Sequence, residues 1–252
     1  MTIWDCNDWI MFRNLLAPIV DLLFPPICHL CREYIPGADK VQLCPACLAK
    51  APPLLSPKCS CCGHPFESPL GADHLCGPCI TDPAPFSSAR AALLFEGSTR
   101  ELIHQFKYGK RVLLRRPLGL LAAAYLDDCA GKFGADLIVP VPLHSKRLRQ
   151  RGFNQAILLG EIFSQKWGVP LSRNNLRRIR WTEPQVNLGS AERAANVKGA
   201  FAVTSEEEIA GRKIFLVDDV YTTGSTVKEC CRVLLKGGAA EIAVLTVARG
   251  TS

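Results

Sequence analysis

The distribution of apolar residues divides the chain into three parts. Residues 1–27 carry apolar side chains in a roughly helical recurrence that stops at Phe24-Pro25-Pro26, which predicts a short N-terminal amphipathic helix. Residues 28–82 are rich in Cys, Pro and Gly and have little periodic apolar pattern. Across residues 86–252, strand-like apolar runs alternate with stretches of helical periodicity. That alternation predicts an α/β domain with a mostly parallel sheet flanked by helices.

Local signals place several elements within this α/β part. Ser98-Thr99-Arg100-Glu101 has the spacing of a capping box, so we expect a helix with Ser98 as its N-cap. Another helix is expected from about Thr226 to Lys236, because Gly237-Gly238 ends the pattern. The predicted strands are Ala91–Phe95, Leu137–Val141, Ile214–Val217 and Ile242–Val247.

Composition adds a core and a basic segment to this picture. The 252 residues are 48% hydrophobic, enough for one substantial core and a small additional module. The net charge is +7, and residues 144–180 hold nine Lys or Arg against a single acid, Glu161. Such a patch usually meets phosphate on a small molecule or on nucleic acid, although a solvated basic face is the alternative.

The N-terminal region does not have the pattern of an export signal. No positive segment precedes the first apolar stretch, and Asp5, Asp8, Arg13 and Asp21 interrupt it. No uncharged apolar run approaches the roughly 18 residues that span a bilayer, so we expect no transmembrane segment. We therefore expect a cytoplasmic protein, in whose reducing compartment clustered cysteines indicate metal binding.

Eight of the thirteen cysteines form four CxxC pairs, grouped in two successive quartets. Each CxxC turn can direct two thiolates at one point, and two turns complete the tetrahedron that structural Zn²⁺ prefers. Zinc would supply folding energy that a segment with so little apolar core lacks. The predicted ligands are Cys28, Cys31, Cys44 and Cys47 in the first quartet, and Cys59, Cys62, Cys76 and Cys79 in the second.

Other interpretations of the cysteines stay open at the level of sequence. Disulfides and iron–sulfur clusters are the alternatives to zinc. If zinc binds, one or two structural Zn²⁺ ions are expected, depending on whether the second quartet is occupied. Cys61 lies between two proposed ligands and either replaces one of them or is a spare thiol. The remaining cysteines are unpaired in spacing and are expected to be buried apolar residues: Cys6, Cys129, Cys230 and Cys231.

The most specific pattern runs from Ile214 to Thr226. An apolar strand ends in two carboxylates, and a loop of hydroxyl residues and glycine then opens a helix. Backbone N–H groups at a helix start form an anion site, and Gly224 permits close approach of a phosphate. Asp218 and Asp219, at the carboxyl end of the strand, can accept hydrogen bonds from two ribose hydroxyls. A Walker-type loop is disfavoured because GxxxxGK is absent and the acids precede the glycine. The hydroxyl donors are Thr222, Thr223, Ser225 and Thr226.

Two further segments complete the candidate site. The strand Leu137–Val141 leads into a predicted loop with four cations, before a helix that begins near Phe153. Such a loop could neutralise a pyrophosphate, since arginine binds phosphate oxygens in pairs. A third stretch, from Thr182 to Phe201, has the composition of an active-site flap. The four cations are Lys146, Arg147, Arg149 and Arg151.

The strand, acid pair and loop resemble the 5-phosphoribosyl-1-pyrophosphate (PRPP) signature of type I phosphoribosyltransferases. The resemblance implies that Asp218 and Asp219 hold the ribose 2′ and 3′ hydroxyls and that Mg²⁺ bridges the pyrophosphate. It also implies a 5′-phosphate site in the loop of Val220, Tyr221, Thr222, Thr223, Gly224, Ser225 and Thr226. Purine-salvage enzymes of this fold place an acid where Thr222 stands, so 6-oxopurine salvage is disfavoured.

Further motifs narrow the resemblance to the ComF/GntX family. They are the CxxC pairs, Phe106-Lys107-Tyr108, Val139-Pro140-Val141-Pro142 with Arg151-Gly152-Phe153-Asn154-Gln155, and Thr182-x-x-Gln185-x-x-Leu188. The resemblance covers about residues 22–248 and implies a zinc module on a phosphoribosyltransferase domain. In bacteria it implies a link to natural competence and DNA uptake, with single-stranded DNA and a DNA-uptake helicase as partners. It specifies neither the acceptor nor the oligomeric state.

Two functions fit this family. The first is a PRPP-dependent pentosyl transferase in which Asp218, Asp219, Lys146 and Arg147 act on the reacting sugar and pyrophosphate. The second is a non-catalytic module that binds single-stranded DNA and uses PRPP as a regulatory ligand. Its support is the basic stretch Lys146–Arg180 with its interleaved aromatic residues, although those aromatics are expected to belong to the core.

Overall fold

The computed structural model describes residues 25–37, 41–68, 70–182 and 190–251. The predicted N-terminal helix over residues 1–27 lies outside the described residues except for its last three positions, and residues 183–189 of the predicted flap also lie outside them. Within the described ranges, no helix combines the length and the apolar character that a bilayer crossing requires.

In chain order the strands are β1 (Ser88–Leu94), β2 (Leu137–Pro140), β3 (Leu176–Arg178), β4 (Phe201–Val203), β5 (Lys213–Tyr221) and β6 (Glu241–Arg249). A four-stranded parallel sheet forms the centre of the α/β part, with the strand order β1-β6-β5-β2. A two-stranded antiparallel sheet, β3-β4, lies beyond the β2 strand in the chain. All four predicted strands are present in the parallel sheet, as expected.

Both faces of the parallel sheet are buried, which explains the uninterrupted apolar runs of its central strands. In β5, Phe215 and Val217 belong to one core cluster, whereas Ile214 and Leu216 belong to the opposite one. The described helices are α1 (Pro45–Ala49), α2 (Gly77–Thr81), α3 (Gly97–Tyr108), α4 (Arg115–Phe133), α5 (Ser145–Arg151), α6 (Gln155–Trp167), α7 (Ser190–Val197) and α8 (Ser225–Lys236).

The first core cluster packs α3, α4 and α6 on one face, and the second packs α8 on the other. Helix α8 runs to Lys236 and is followed by Gly237, as predicted. The predicted N-cap of α3 is wrong. The helix begins at Gly97 with Glu96 as N-cap, and the side chain of Ser98 is buried instead of capping the helix. The Ser98 backbone N–H donates to the carbonyl of Lys50 at 2.9 Å, so contact with the cysteine module sets this helix start.

The basic segment after β2 is a helix and not the predicted loop. Helix α5 begins after His144, whose ring accepts a hydrogen bond from the backbone N–H of Lys146, and it ends at Gly152, which adopts a left-handed conformation. Asn154 then caps α6 through the Ala156 N–H and also donates to the Val141 carbonyl at 3.1 Å. The connection between β2 and α6 is therefore held close to the strand end.

The cysteine-rich module docks along the edge of the parallel sheet. The Leu54 N–H donates to the Ala92 carbonyl, and the Leu94 N–H donates to the Pro52 carbonyl, each at 2.9 Å. The Ala89 N–H donates to the Cys61 carbonyl at 2.7 Å. These hydrogen bonds satisfy the edge of β1, which would otherwise expose unpaired backbone groups.

Candidate functional site

A cleft of about 480 Å³ opens at the carboxyl ends of β2 and β5. This is where ligands of open α/β sheets bind, because helix N-termini and strand ends converge there. The cleft contains the acid pair and the hydroxyl-rich loop together with part of the basic segment. The structure thus brings together residues from separate regions of the sequence.

Asp218 and Asp219 lie at the end of β5 in unequal surroundings. Asp219 is 6% exposed and forms an ion pair with Lys107 at 2.8 Å between Oδ1 and Nζ. The Asp219 N–H donates to the Asp218 Oδ1 at 2.8 Å. Burial and the neighbouring Asp219 carboxylate raise the pKa of Asp218 to about 7, although Lys107 opposes the rise. Near neutral pH the pair can therefore accept hydrogen bonds while its total negative charge is less than two.

The loop after the acid pair forms the N-terminus of α8. Gly224 precedes the helix with φ +75°, a left-handed conformation that favours glycine. A Cβ at Gly224 would clash with the Tyr221 hydroxyl, so the two residues pack in direct contact. The Thr223 and Ser225 hydroxyl oxygens are 3.1 Å apart. Hydroxyl groups and the positive end of a twelve-residue helix thus border the same part of the cleft.

Helix α5 divides the four predicted cations between the cleft and the outer surface. Arg147 and Arg151 line the cleft, and the Arg151 guanidinium stands 5.2 Å from the centre of the Tyr108 ring. Lys146 and Arg149 are exposed and are not among the residues that line it. The division follows from the helix, which turns side chains two positions apart in different directions.

Three cleft residues were missed as candidates by the sequence analysis. Lys107 and Tyr108 reach the cleft from the end of α3, and Arg178 reaches it from β3. Burial lowers the pKa of Arg178, and the adjacent positive charge of Arg147 lowers it further. The two guanidinium groups repel each other, so an anion between them would be stabilised. Lys107 had a signal, since it belongs to a family motif, whereas Arg178 stood unmarked among other arginines.

Both cysteine quartets form compact clusters in the module that precedes β1. In each quartet the four Sγ atoms lie within 4.8 Å of one another. Tetrahedral coordination at a Zn–S distance of about 2.3 Å places sulfurs about 3.8 Å apart. The Sγ separations of 3.5 Å between Cys31 and Cys44 and 3.7 Å between Cys62 and Cys76 agree with that geometry. The quartets therefore fit two structural zinc ions, as predicted.

Backbone N–H groups also point at the sulfurs, as expected for zinc thiolates. The Cys44 N–H stands 3.5 Å from Cys28 Sγ, and the Cys62 N–H stands 3.4 Å from Cys59 Sγ. Burial opposes ionisation of Cys28 and Cys59, but the N–H donors outweigh it and lower the pKa of each thiol to about 6. Cys61 is not one of the four cysteines of either cluster. The second quartet is therefore complete without Cys61.

The fold and these sites define a class of protein: a double zinc ribbon joined to a phosphoribosyltransferase domain. The sequence matches the family model "Double zinc ribbon domain" over residues 19–80 and the model "Phosphoribosyl transferase domain" over residues 156–252. The chain is also 32% identical to the DNA utilization protein YhgH of Salmonella typhimurium over 231 residues, which cover 90% of this chain and 99% of that protein.

A second relative is the competence protein F of Haemophilus influenzae, 33% identical over 197 residues, 77% of this chain and 85% of that protein. The chain therefore belongs to the family of YhgH and competence protein F, the ComF/GntX family that its motifs resemble. Among solved structures, a glutamine PRPP amidotransferase from B. subtilis is 20% identical, with a TM-score of 0.36. That match covers 52% of this chain and 25% of the other.

Proposed function

We propose that the cleft binds PRPP, with its ribose on Asp218 and Asp219 and its 5′-phosphate in the loop from Val220 to Thr226. The observation that carries this proposal is the contiguity of the acid pair with the N-terminus of α8 in one open cleft. Carboxylates accept hydrogen bonds from vicinal hydroxyls, and helix N-terminal amides bind phosphate.

The basic side of the same cleft suits the pyrophosphate of PRPP. Arg147 and Arg151 line the cleft from α5, and Arg178 lines it from β3, in the same cleft as the acid pair. Lys146 and Arg149, the other predicted cations, are exposed on α5 and do not line the cleft. They would therefore interact with the ligand only through long-range electrostatic attraction. Mg²⁺ is a hard cation that prefers oxygen ligands, so Asp218 and Asp219 are the carboxylates suited to hold it beside the pyrophosphate.

We further propose that the protein transfers the phosphoribosyl group to an acceptor nucleophile. The C1–O bond to pyrophosphate would break, the acceptor would bond to C1, and its proton would leave to solvent. Fixed cations would stabilise the departing pyrophosphate, and fixed carboxylates would hold the sugar as it gains oxocarbenium character. Release of pyrophosphate from PRPP, screened across bases, amines and oligonucleotides, tests for transfer.

The ribose assignment is tested by replacing both acids, Asp218→Asn together with Asp219→Asn. The matched control is Asp127→Asn with Asp128→Asn, a second vicinal pair that lies exposed on α4. We expect the first double variant to weaken PRPP binding in calorimetry by about a hundredfold or more, because two charged acceptors are lost. The control should bind as the wild type does. Unchanged affinity in the first variant would remove the ribose role from this pair.

The names of the relatives lead us to propose a role in DNA utilization. The partners that we propose, from the family resemblance, are single-stranded DNA and a DNA-uptake helicase. The aromatics inside the basic stretch do not serve this role, because Phe163 is buried and Trp167 stacks on it with ring centroids 4.9 Å apart. Trp181 is better placed. His144, Lys146 and Arg147 surround its ring at 5.3, 5.6 and 6.0 Å, beside the cleft.

A cation-flanked indole of this kind is a stacking platform for single-stranded nucleic acid. We expect Trp181→Ala to weaken binding of an oligonucleotide by about tenfold, from the loss of roughly 1–3 kcal/mol of stacking. Trp167→Ala would be a poor control because it opens the core, so Tyr125→Ala, an exposed aromatic on α4, serves instead. Titrations at several salt concentrations with and without PRPP separate the alternatives, since a shared phosphate site predicts competition. Equal DNA affinity in the wild type, Trp181→Ala and Tyr125→Ala would exclude Trp181 as a stacking platform.

A further inference from the structure

Arg249, the last residue of β6, is a buried arginine that has no carboxylate partner among the described residues. The residue is 6% exposed, and its Nε and Nη1 atoms are buried without a hydrogen-bond partner in the part of the chain that the structure describes. Its Nη2 atom stands 3.6 Å from the Sγ of Cys62, a ligand in the second zinc quartet. A buried charge without a counter-charge destabilises a fold, so a negative group is expected beside it.

The second quartet would supply that negative charge when it holds zinc. Four thiolates around one Zn²⁺ carry a net charge of −2, and bound ions are often the largest local charges in a site. The quartet of Cys59, Cys62, Cys76 and Cys79 is the only anionic centre that Arg249 contacts within the described residues. The guanidinium is thus the buried counter-charge of the loaded centre.

The other side of the same guanidinium meets the proposed phosphate loop. The centre of the Tyr221 ring lies 4.1 Å from the guanidinium carbon of Arg249, and Tyr221 is 4% exposed. The hydroxyl of Tyr221 packs against Gly224, the residue that opens α8. Next to Arg249, the Gly250 N–H donates to the Tyr221 carbonyl at 2.9 Å. A continuous contact path therefore runs from Cys62 through Arg249 and Tyr221 to Gly224.

We propose that Arg249 is a positioning residue that couples the second zinc centre to the loop that binds the phosphorylated ribose. The proposal rests on the proposed PRPP site for the identity of the ligand, but the contact path does not depend on it. Zinc in the second quartet fixes the guanidinium, which fixes the Tyr221 ring against Gly224. Because such coupling is reciprocal, a ligand in the loop also stabilises zinc in the second quartet.

The first zinc quartet offers no equivalent path within the described residues. The Arg32 N–H donates to the Cys28 carbonyl at 3.1 Å, and Arg111 Nη1 donates to the His29 carbonyl at 3.0 Å, but neither arginine is among the residues that line the cleft. Arg90 provides the matched control for Arg249. Its guanidinium donates to the Cys61 and Ser60 carbonyls at 3.4 and 2.8 Å, so it docks the same ribbon without contacting Tyr221.

The test compares wild-type protein with Arg249→Met and Arg90→Met, each loaded with zinc. A chromogenic chelator reports the rate of zinc release, measured with and without PRPP, and calorimetry reports PRPP binding. We expect Arg249→Met to release one of its two zinc ions about fivefold faster or more, within the usual range of coupling between sites. PRPP should slow release of that ion in the wild type and in Arg90→Met, but not in Arg249→Met.

Two further variants keep the test decisive if Arg249→Met does not fold. Arg249→Lys restores the charge, so its zinc release should approach that of the wild type. Tyr221→Leu keeps the Arg249 and Cys62 side chains, so its zinc release without PRPP should be normal. Because Tyr221 belongs to the proposed PRPP loop, PRPP is added at a concentration that calorimetry shows to saturate this variant, and its effect on zinc release should still be lost.

Wild-type zinc release in Arg249→Met, or undiminished protection by PRPP in Arg249→Met or Tyr221→Leu, would overturn the proposal. Absence of PRPP binding to wild-type protein would instead refute the proposed function. In that case zinc release from Arg249→Met still decides whether Arg249 is the counter-charge.

Discussion

At the scale of single residues, the two carboxylates that end β5 differ in what surrounds them. Asp219 has a cation partner in Lys107, whereas Asp218 is held by burial and by its neighbour in a state that resists ionisation. The acid pair and its loop could be predicted from sequence because they are contiguous. Lys107 stands more than a hundred positions earlier, and only the fold brings it to Asp219.

This asymmetry predicts a pH dependence of stability. The pKa of Asp218 is raised to about 7 in the folded chain, so between the ordinary carboxyl value and pH 7 the folded state binds more protons than the unfolded state. The contribution of Asp218 to stability therefore falls as pH rises through that window and is most unfavourable above pH 7. We expect Asp218→Asn to raise the free energy of unfolding at pH 8 by about 1–3 kcal/mol.

Denaturant unfolding at pH 5 and pH 8 measures this change, and the gain should shrink at pH 5. Asp219→Asn provides the matched comparison, since it leaves the partly buried Lys107 without its carboxylate partner and should lower the free energy of unfolding by about 1–3 kcal/mol. A lower free energy of unfolding in both variants at pH 8 would contradict the raised pKa of Asp218 in the folded protein.

At the scale of elements, sequence reasoning succeeded where apolar periodicity was strong and failed where charge dominated. The strands of the sheet and α8 have clear apolar patterns, and the structure confirms them. Helix α5 contains four cations and only one large apolar side chain, Leu148. Its sequence therefore predicted a loop. Its start depends on a cap from His144, and its end depends on Gly152. Such local hydrogen bonding leaves little trace in hydrophobic periodicity.

The two zinc ribbons predict a metal content. We expect elemental analysis to find two zinc ions per chain, because both quartets bring four sulfurs within coordination distance. Cys47→Ser and Cys79→Ser should each reduce the content to one, since three thiolates bind zinc less tightly. Cys61→Ser is the matched control and should retain two, because Cys61 lies outside the second cluster. A wild-type content near one, or loss of zinc in Cys61→Ser, would contradict this assignment of ligands.

At the scale of the whole molecule, we propose two modules, residues 28–82 and 86–252. We propose that they are coupled in function as well as in contact with each other. Their composition predicted the division, because cysteines replace an apolar core in the first. Sequence did not predict how they meet. Backbone bonds such as that from Ala89 to Cys61 carry no side-chain signature, and Arg249 stands among ordinary strand residues. Contacts of this kind depend on tertiary placement alone.

The central claim is that the cleft grips a phosphorylated ribose and not merely an anion. Titration of wild-type protein with PRPP and Mg²⁺, and separately with pyrophosphate and Mg²⁺, tests it most directly by calorimetry. We predict one PRPP site per chain and an affinity at least about tenfold higher than for pyrophosphate, since each ribose hydrogen bond to a carboxylate contributes about 1.5–3 kcal/mol. Equal affinities for the two ligands, or no saturable binding of PRPP, would contradict it.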